Sequence, residues 1–250
     1  MQCIRNEITR IEIESARDPW PENKINRKIA RPRVDHVLGG LYLGNDEKFA
    51  EIVPVSLTKK GVPLDTTNPQ KFECALSVCS YTRMVRAIPD LGKYPAKTIE
   101  ALLSEKKIEW IQMGRAVPDD TMAWYDLVYN ATFPDSELAQ KEIEIPRDSQ
   151  ESVHVQLRAN KKTIVEETPV TKWFERAFTI LDKAVTQNRK TLVNCHAGIS
   201  RTGAIVAAYL INRYNVTPAQ AIAYLRTKRN CINPKCVADL QKYADALQKG

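Results

Sequence analysis

Apolar and polar positions follow different rhythms along the chain. In VDHVLGGLYLGNDEKFAEI, residues 34–52, two short apolar runs flank Gly39 and Gly40 and give way to a helix start, which predicts two strands joined by a tight turn. FECALSVCSY, residues 72–81, is a continuous apolar run of the length of a buried strand. KTIEALLSEKK (97–107) and DDTMAWYDLVYN (119–130) carry helical spacing between proline-marked breaks, so the stretch 82–140 reads as an inserted subdomain or lid. KEIEIP (141–146) alternates and stops at a proline, as a strand would, and RDSQES follows as a loop.

The pattern sharpens from Thr168. Thr168 and Pro169 start a helix whose apolar face is Trp173, Phe174, Ala177, Phe178, Leu181 and Ala184. TLVNCHAGISRTGAIVAAYLI, residues 191–211, then runs from a buried strand through a small-residue loop into an apolar helix. Thr217, Pro218 and Gln220 make a capping box with proline at the first helical position. Asn233 and Pro234 launch a last helix with Val237, Leu240, Tyr243, Ala244 and Leu247 on one face. Strands alternating with helices predict an α/β domain covered by a helical C-terminal half.

Composition narrows the class. With 250 residues, 43% hydrophobic and 27% charged, the chain is long enough for one large domain with insertions. No run approaches the roughly 18 apolar residues of a membrane span, and MQCIRNEITRIEIESARD is too charged for a signal peptide, so a reducing cytoplasmic setting is expected. The six cysteines, Cys3, Cys74, Cys79, Cys195, Cys231 and Cys236, are too sparse for a disulfide framework and read as free thiols. The net charge of +7 suits a phosphorylated partner, but the basic residues are scattered and not interleaved with aromatics, so no nucleic-acid partner is expected.

The chemistry concentrates at the strand–loop–helix pivot. Such a loop aims backbone N–H groups at an anion on the helix N-terminus, and the same field favours a thiolate at Cys195. Five residues, His196, Ala197, Gly198, Ile199 and Ser200, separate it from Arg201. The guanidinium fork of Arg201 matches two oxygens of a phosphoryl group. Gly198 permits close backbone approach, and the Thr202 hydroxyl is placed to help the thiolate leave when a phospho-cysteine is hydrolysed. The loop residues 196–201 are therefore the candidate phosphate cradle, with Cys195 as nucleophile.

This C-x5-R loop followed by Thr-Gly resembles the cysteine-based protein tyrosine phosphatases, in their dual-specificity branch. LYLGN (41–45), ALSVCS (75–80), KWFERAFTILDKA (172–184) and AIAYLRTKRNCINP (221–234) look like further segments of that branch, in the right order. The resemblance implies a central, mostly parallel sheet flanked by helices, with the loop at the C-terminal edge of a central strand. It implies a catalytic domain over 34–250 with insertions at about 82–140 and 149–168, and an N-terminal extension over 1–33 that packs on the domain or tethers a partner. The implied partner is a phosphorylated protein, and neither cofactor nor metal is called for.

Two positions depart from the resemblance. Asn194 stands where the family has a histidine before the nucleophile; it can support the loop by hydrogen bonding but carries no positive charge, which implies weaker or more alkaline-shifted activity. The family's general acid falls on Asp148 in IPRDS, but about twenty extra residues lie between it and the helix at Pro169. Asp135, Glu166 and Glu167 are fallback acids, and a solvated turn former is the plain alternative for Asp148.

Other readings stay open. Cys79 is either a buried thiol or a resolving partner for Cys195. The equal gaps of Cys74/Cys79 and Cys231/Cys236 suggest zinc, but the first pair falls in a core strand pattern and Cys231 in the CINP segment. Beside a protein phosphatase stand a phosphatase of phosphoinositides, other phosphorylated small molecules or RNA 5′ ends, and a module that holds phosphoprotein without turnover. The loop carries no lysine for extra ring phosphates; His196 is the substitute.

Overall fold

The computed structural model describes residues 2–15, 34–79, 84–85, 87–112, 170–234 and 237–249. The first helix, α1 (Gln2–Ser15), buries Ile8 completely, with Ile4 and Ile11 packed partly buried on the same core. Strands β1 (Asp35–Leu38) and β2 (Leu41–Gly44) form the expected hairpin, followed by a short helix α2 (Asp46–Ala50). Asn45 caps that helix, its side chain accepting the Lys48 N–H at 3.2 Å. A small hairpin of β3 (Thr58–Lys59) and β4 (Val62–Pro63) precedes β5 (Cys74–Ser77).

A 3-10 turn (Pro89–Lys93) and α3 (Ala96–Glu105) lead to β6 (Glu109–Gln112). After α4 (Val170–Thr186) come β7 (Thr191–Asn194), α5 (Arg201–Tyr214), α6 (Pro218–Lys228) and α7 (Val237–Lys249). The main sheet has the order β1-β2-β7-β5-β6, antiparallel at β1/β2 and parallel at the other three pairings. The expected mostly parallel sheet flanked by helices is thus present, and β7 is its middle strand. Every residue of β5 and β7 is buried, as fits parallel strands covered on both faces.

The described part of 82–140 differs from an appended lid. β6 pairs with β5 along its whole length, and Ile99 and Leu103 of α3 are fully buried, so 87–112 completes the main sheet and its cover. KEIEIP, DDTMAWYDLVYN and the insertion at 149–168 lie outside the described residues, as do Thr168 and Pro169 and the side chains of Trp173 and Phe174.

Around β7 the sequence pattern is realised closely. Ala177, Phe178, Leu181 and Ala184 are buried on α4. The capping box of α6 forms, Thr217 Oγ1 accepting the Gln220 N–H and the Gln220 side chain accepting the Thr217 N–H at 2.7 Å. α5 is buried on nearly all sides and packs against α4, α6 and α7. Complete burial of Ile205, Val206 and Leu210 contributes on the order of 2 kcal/mol each. On α7, Leu240, Tyr243 and Ala244 are buried, but Val237 at its start is 47% exposed.

Candidate phosphate-binding site

Because β7 occupies the middle of the sheet, its carboxyl end opens onto the crevice where parallel sheets place ligands. Cys195 is the next residue and is only 4% exposed. From there the chain turns through 196–200, and Arg201, also buried, opens α5.

The loop's carbonyls have donors from outside it. His196 O accepts the Asp46 N–H at 3.4 Å, and Ala197 O accepts from an Arg229 terminal nitrogen at 3.4 Å. Gly198 O accepts from Arg229 Nε at 2.8 Å, and Ile199 O accepts the Asn233 N–H at 3.3 Å. Four consecutive carbonyls are therefore held outward, on the side of the surrounding elements. A trans peptide is planar with its C=O and following N–H opposed, so the N–H groups of residues 197–200 face the other way, into the turn. Gly198 makes the reversal possible at φ +64°, and a Cβ there would stand 2.3 Å from the Gly44 carbonyl oxygen.

Arg229 is the main brace of this loop. It is 1% exposed, sits at the C-terminal end of α6, and pairs with Asp35 of β1. Two carbonyls and a carboxylate thus satisfy a guanidinium that would otherwise be costly to bury. Sequence reasoning passed over Arg229 and Asp35, since nothing in RTKRN or VDH marks an ion pair across such a separation.

Asn194 is fully buried but does not reach the loop backbone. Its Oδ1 accepts from Ser77 Oγ at 2.9 Å, its Nδ2 donates to Met84 Sδ at 3.7 Å, and Ser77 Oγ accepts from Trp110 Nε1 at 2.9 Å. This neutral chain ties the end of β7 to β5 and β6. Thr202 Oγ1 is buried without a hydrogen-bond partner among the described residues, a costly state for a hydroxyl with nothing to bind. His196 Nδ1 lies 2.8 Å from Asp46 Oδ2, and Cys79 Sγ donates to the other Asp46 oxygen at 3.7 Å.

Of the residues expected from sequence, the structure gathers Asn194, Cys195, the loop 196–200, Arg201 and Thr202 at one sheet edge. Asp148, Asp135, Glu166 and Glu167 lie outside the described residues. Cys74, at the opposite end of β5, is completely buried, and that burial pushes its thiol up to about 11. Among the described residues, Cys3, Cys74, Cys79, Cys195 and Cys231 form no disulfide. Among the described residues no group of three or more His, Cys, Asp or Glu side chains is disposed to hold a metal, and no helix is long and apolar enough to cross a membrane.

Comparison with known proteins agrees with the loop. Residues 125–245 match the model of the dual specificity phosphatase catalytic domain. Over that stretch, just under half of its length, the chain is similar to the dual-specificity branch of the cysteine-based protein tyrosine phosphatase superfamily. It is 30% identical over 84 residues to dual specificity protein phosphatase 1B of Arabidopsis thaliana, covering 33% of this chain and 50% of that one. It is 36% identical over 84 residues to the serine/threonine/tyrosine-interacting protein of Pongo abelii, covering 33% of this chain and 35% of the relative. The matched segments thus span half or less of these relatives. The crystal structure of the human tyrosine phosphatase-like serine/threonine/tyrosine-interacting protein aligns over 88% of this chain and 100% of its own, at 17% identity and a TM-score of 0.47.

Proposed function

We propose that the chain hydrolyses phosphate monoesters of proteins, on tyrosine and on serine or threonine, through a phospho-cysteine intermediate at Cys195. The observation that carries this reading is the set of outward-held carbonyls from His196 to Ile199, which leaves the opposed N–H groups on the inner side of a turn that begins at a buried thiol. In the first step the Cys195 sulfur attacks phosphorus and the ester P–O bond breaks. The departing oxygen takes a proton from a carboxylic acid, the role assigned to Asp148. Arg201 and the loop amides hold the equatorial oxygens as charge shifts in the transition state. Water then attacks phosphorus, the P–S bond breaks, and the Thr202 hydroxyl donates to the returning thiolate, which gives its orphaned oxygen a partner.

A second reading, a module that binds phosphoprotein with little turnover, draws support from Asn194, which is neutral and engaged by Ser77 and Met84. Phosphate release from matched phosphotyrosine and phosphothreonine peptides and from a phosphoinositide, with wild type beside Cys195→Ser, separates the readings. Cys195-dependent release from the peptides is the expected result. Release from the lipid alone would replace the protein substrate, and peptide binding without release by either chain would favour the module.

A further inference from the structure

Helix α1 packs on α6 and α5, with Ile8 completely buried and Ile4 and Ile11 partly buried beside it. At the C-terminal end of α6 the contact turns polar, and Lys228 Nζ donates to Glu7 Oε1 at 3.0 Å. The same ammonium stands 4.9 Å from the centroid of the Tyr224 ring, whose hydroxyl donates to Val37 O of β1 at 3.2 Å. Lys228 is therefore held on two sides, by a carboxylate of α1 and by a ring pinned to β1. One residue further on, Arg229 closes α6 and carries its guanidinium to Asp35 and to the Gly198 carbonyl of the loop.

We propose that α1 is a positioning element for the phosphate loop, acting on Arg229 through Lys228 and the last turn of α6, and that phosphate in the loop in turn tightens the docking of α1. This role rests on the phosphate site described above and adds an element that tunes it. Helix ends are where a helix opens first, because their outer backbone groups lack intrahelical partners. In α6 that end carries the brace: the Arg229 N–H still donates to Leu225 O at 2.8 Å, so its guanidinium follows the last turn. Glu7 fastens α1 to that same turn, and the buried Ile8 stands next to it in the chain. The ion pair is partly exposed and weak by itself, so Ile8 supplies most of the docking and Glu7 fixes where it acts. Coupling between two sites is reciprocal, so what α1 lends the loop, a filled loop returns to α1.

The test measures, on the full chain, the Kd for inorganic phosphate by calorimetry, kcat/KM on a phosphotyrosine peptide, and hydrogen exchange of the α1 amides with and without phosphate. Ile8→Ala and Lys228→Glu are each expected to weaken phosphate binding about fivefold, and kcat/KM to fall in parallel. Glu7→Lys is expected to weaken binding about threefold, while the exchanged pair Glu7→Lys with Lys228→Glu returns it to within about twofold of wild type. Saturating phosphate is expected to slow exchange of the α1 amides by about fivefold in wild type and to leave it unchanged in Arg229→Ala. Leu240→Ala empties an equally buried position on α7 and serves as the control, with lower stability but phosphate binding within about twofold of wild type.

If the α1 variants lose stability but bind phosphate as wild type does, α1 only completes the core; its positioning role is overturned and the phosphate site stands. If they weaken phosphate binding while no chain turns over peptide, the phosphatase reading falls and the positioning role holds. Equal weakening by Leu240→Ala assigns the effect to general loosening and overturns the role, as does exchange of α1 indifferent to phosphate in wild type. Absence of phosphate binding by wild type removes the site and the role together. Should Ile8→Ala fail to fold, the exchanged ion pair decides alone: a phosphate affinity not recovered by the second substitution overturns the role.

Discussion

Cys74 and Cys195 are both buried thiols, one in β5 and the other just past the parallel neighbour β7, yet they stand at opposite ends of the sheet. Cys74 opens β5 at the amino edge, in register with Thr191, and burial, against the opposing pull of Arg189, pushes its thiol up to about 11. Cys195 follows β7 at the carboxyl edge, where a loop with its carbonyls braced from behind leads into the N-terminus of α5. Low exposure therefore says little about whether a thiol reacts. The end of the strand decides which backbone groups surround it, and among the described residues it is the end of β7 that offers opposed N–H groups and a helix dipole.

The largest contrast is in turnover. Cys195→Ser is expected to lower kcat on a phosphotyrosine peptide by more than about a thousandfold, whereas Cys74→Ala leaves it within about threefold. A comparable loss from Cys74→Ala would erase the distinction. Next comes the brace. Arg229→Ala removes donors from Ala197 and Gly198 and the ion pair to Asp35, so stability is expected to fall by about 3 kcal/mol and kcat/KM by roughly a hundredfold. Urea unfolding alongside kinetics on the folded fraction checks both, and an undiminished kcat/KM would show that the loop keeps its shape unaided.

A smaller effect is expected at Asn194, where a neutral amide replaces a residue able to carry charge. Asn194→His should raise phosphate release at neutral pH by roughly fivefold, because an imidazolium behind the loop favours the thiolate. An unchanged rate across the pH range would mean that the chain from Trp110 through Ser77 already suits Asn194 to its place.

The smallest effect is a pH dependence confined to Cys74. Its folded-state value is raised from 9.0 to about 11 by burial, so the native state holds the proton more tightly than the unfolded chain. Its stabilising contribution is complete below pH 9.0, declines as pH rises from there and is lost through about 11. Between about pH 8 and about pH 10.5, urea midpoints are expected to show a shallower decline in Cys74→Ala than in wild type. Parallel declines would remove Cys74 from the account.

Legibility from sequence followed the range of the interactions. TLVNCHAGISRTG declares strand, loop and helix within one short stretch, and the α6 capping box needs only Thr217 and Gln220. β6 escaped because EWIQ is a brief edge strand whose identity comes from pairing with β5. α1 carried a signal in the spacing of Ile4, Ile8 and Ile11, which the charged residues around them obscured. Val237 continued the apolar stripe of α7, but at the helix start it has less of the domain to pack against. Arg229 with Asp35 and Asp46 with His196 were illegible for a different reason: each pair joins distant segments, and a single charged residue gives no sign of a partner that only folding supplies.

The most direct measurement is the rate of iodoacetamide modification at Cys195 and Cys74, read by peptide mass spectrometry on the native chain near pH 7, with and without inorganic phosphate. The account predicts that Cys195 reacts at least about a hundredfold faster than Cys74 and that phosphate protects it, while Cys74 reacts only on unfolding. Equal rates at the two thiols, or a Cys195 rate indifferent to phosphate, would contradict the claim that the braced loop makes Cys195 the nucleophile of a phosphate site.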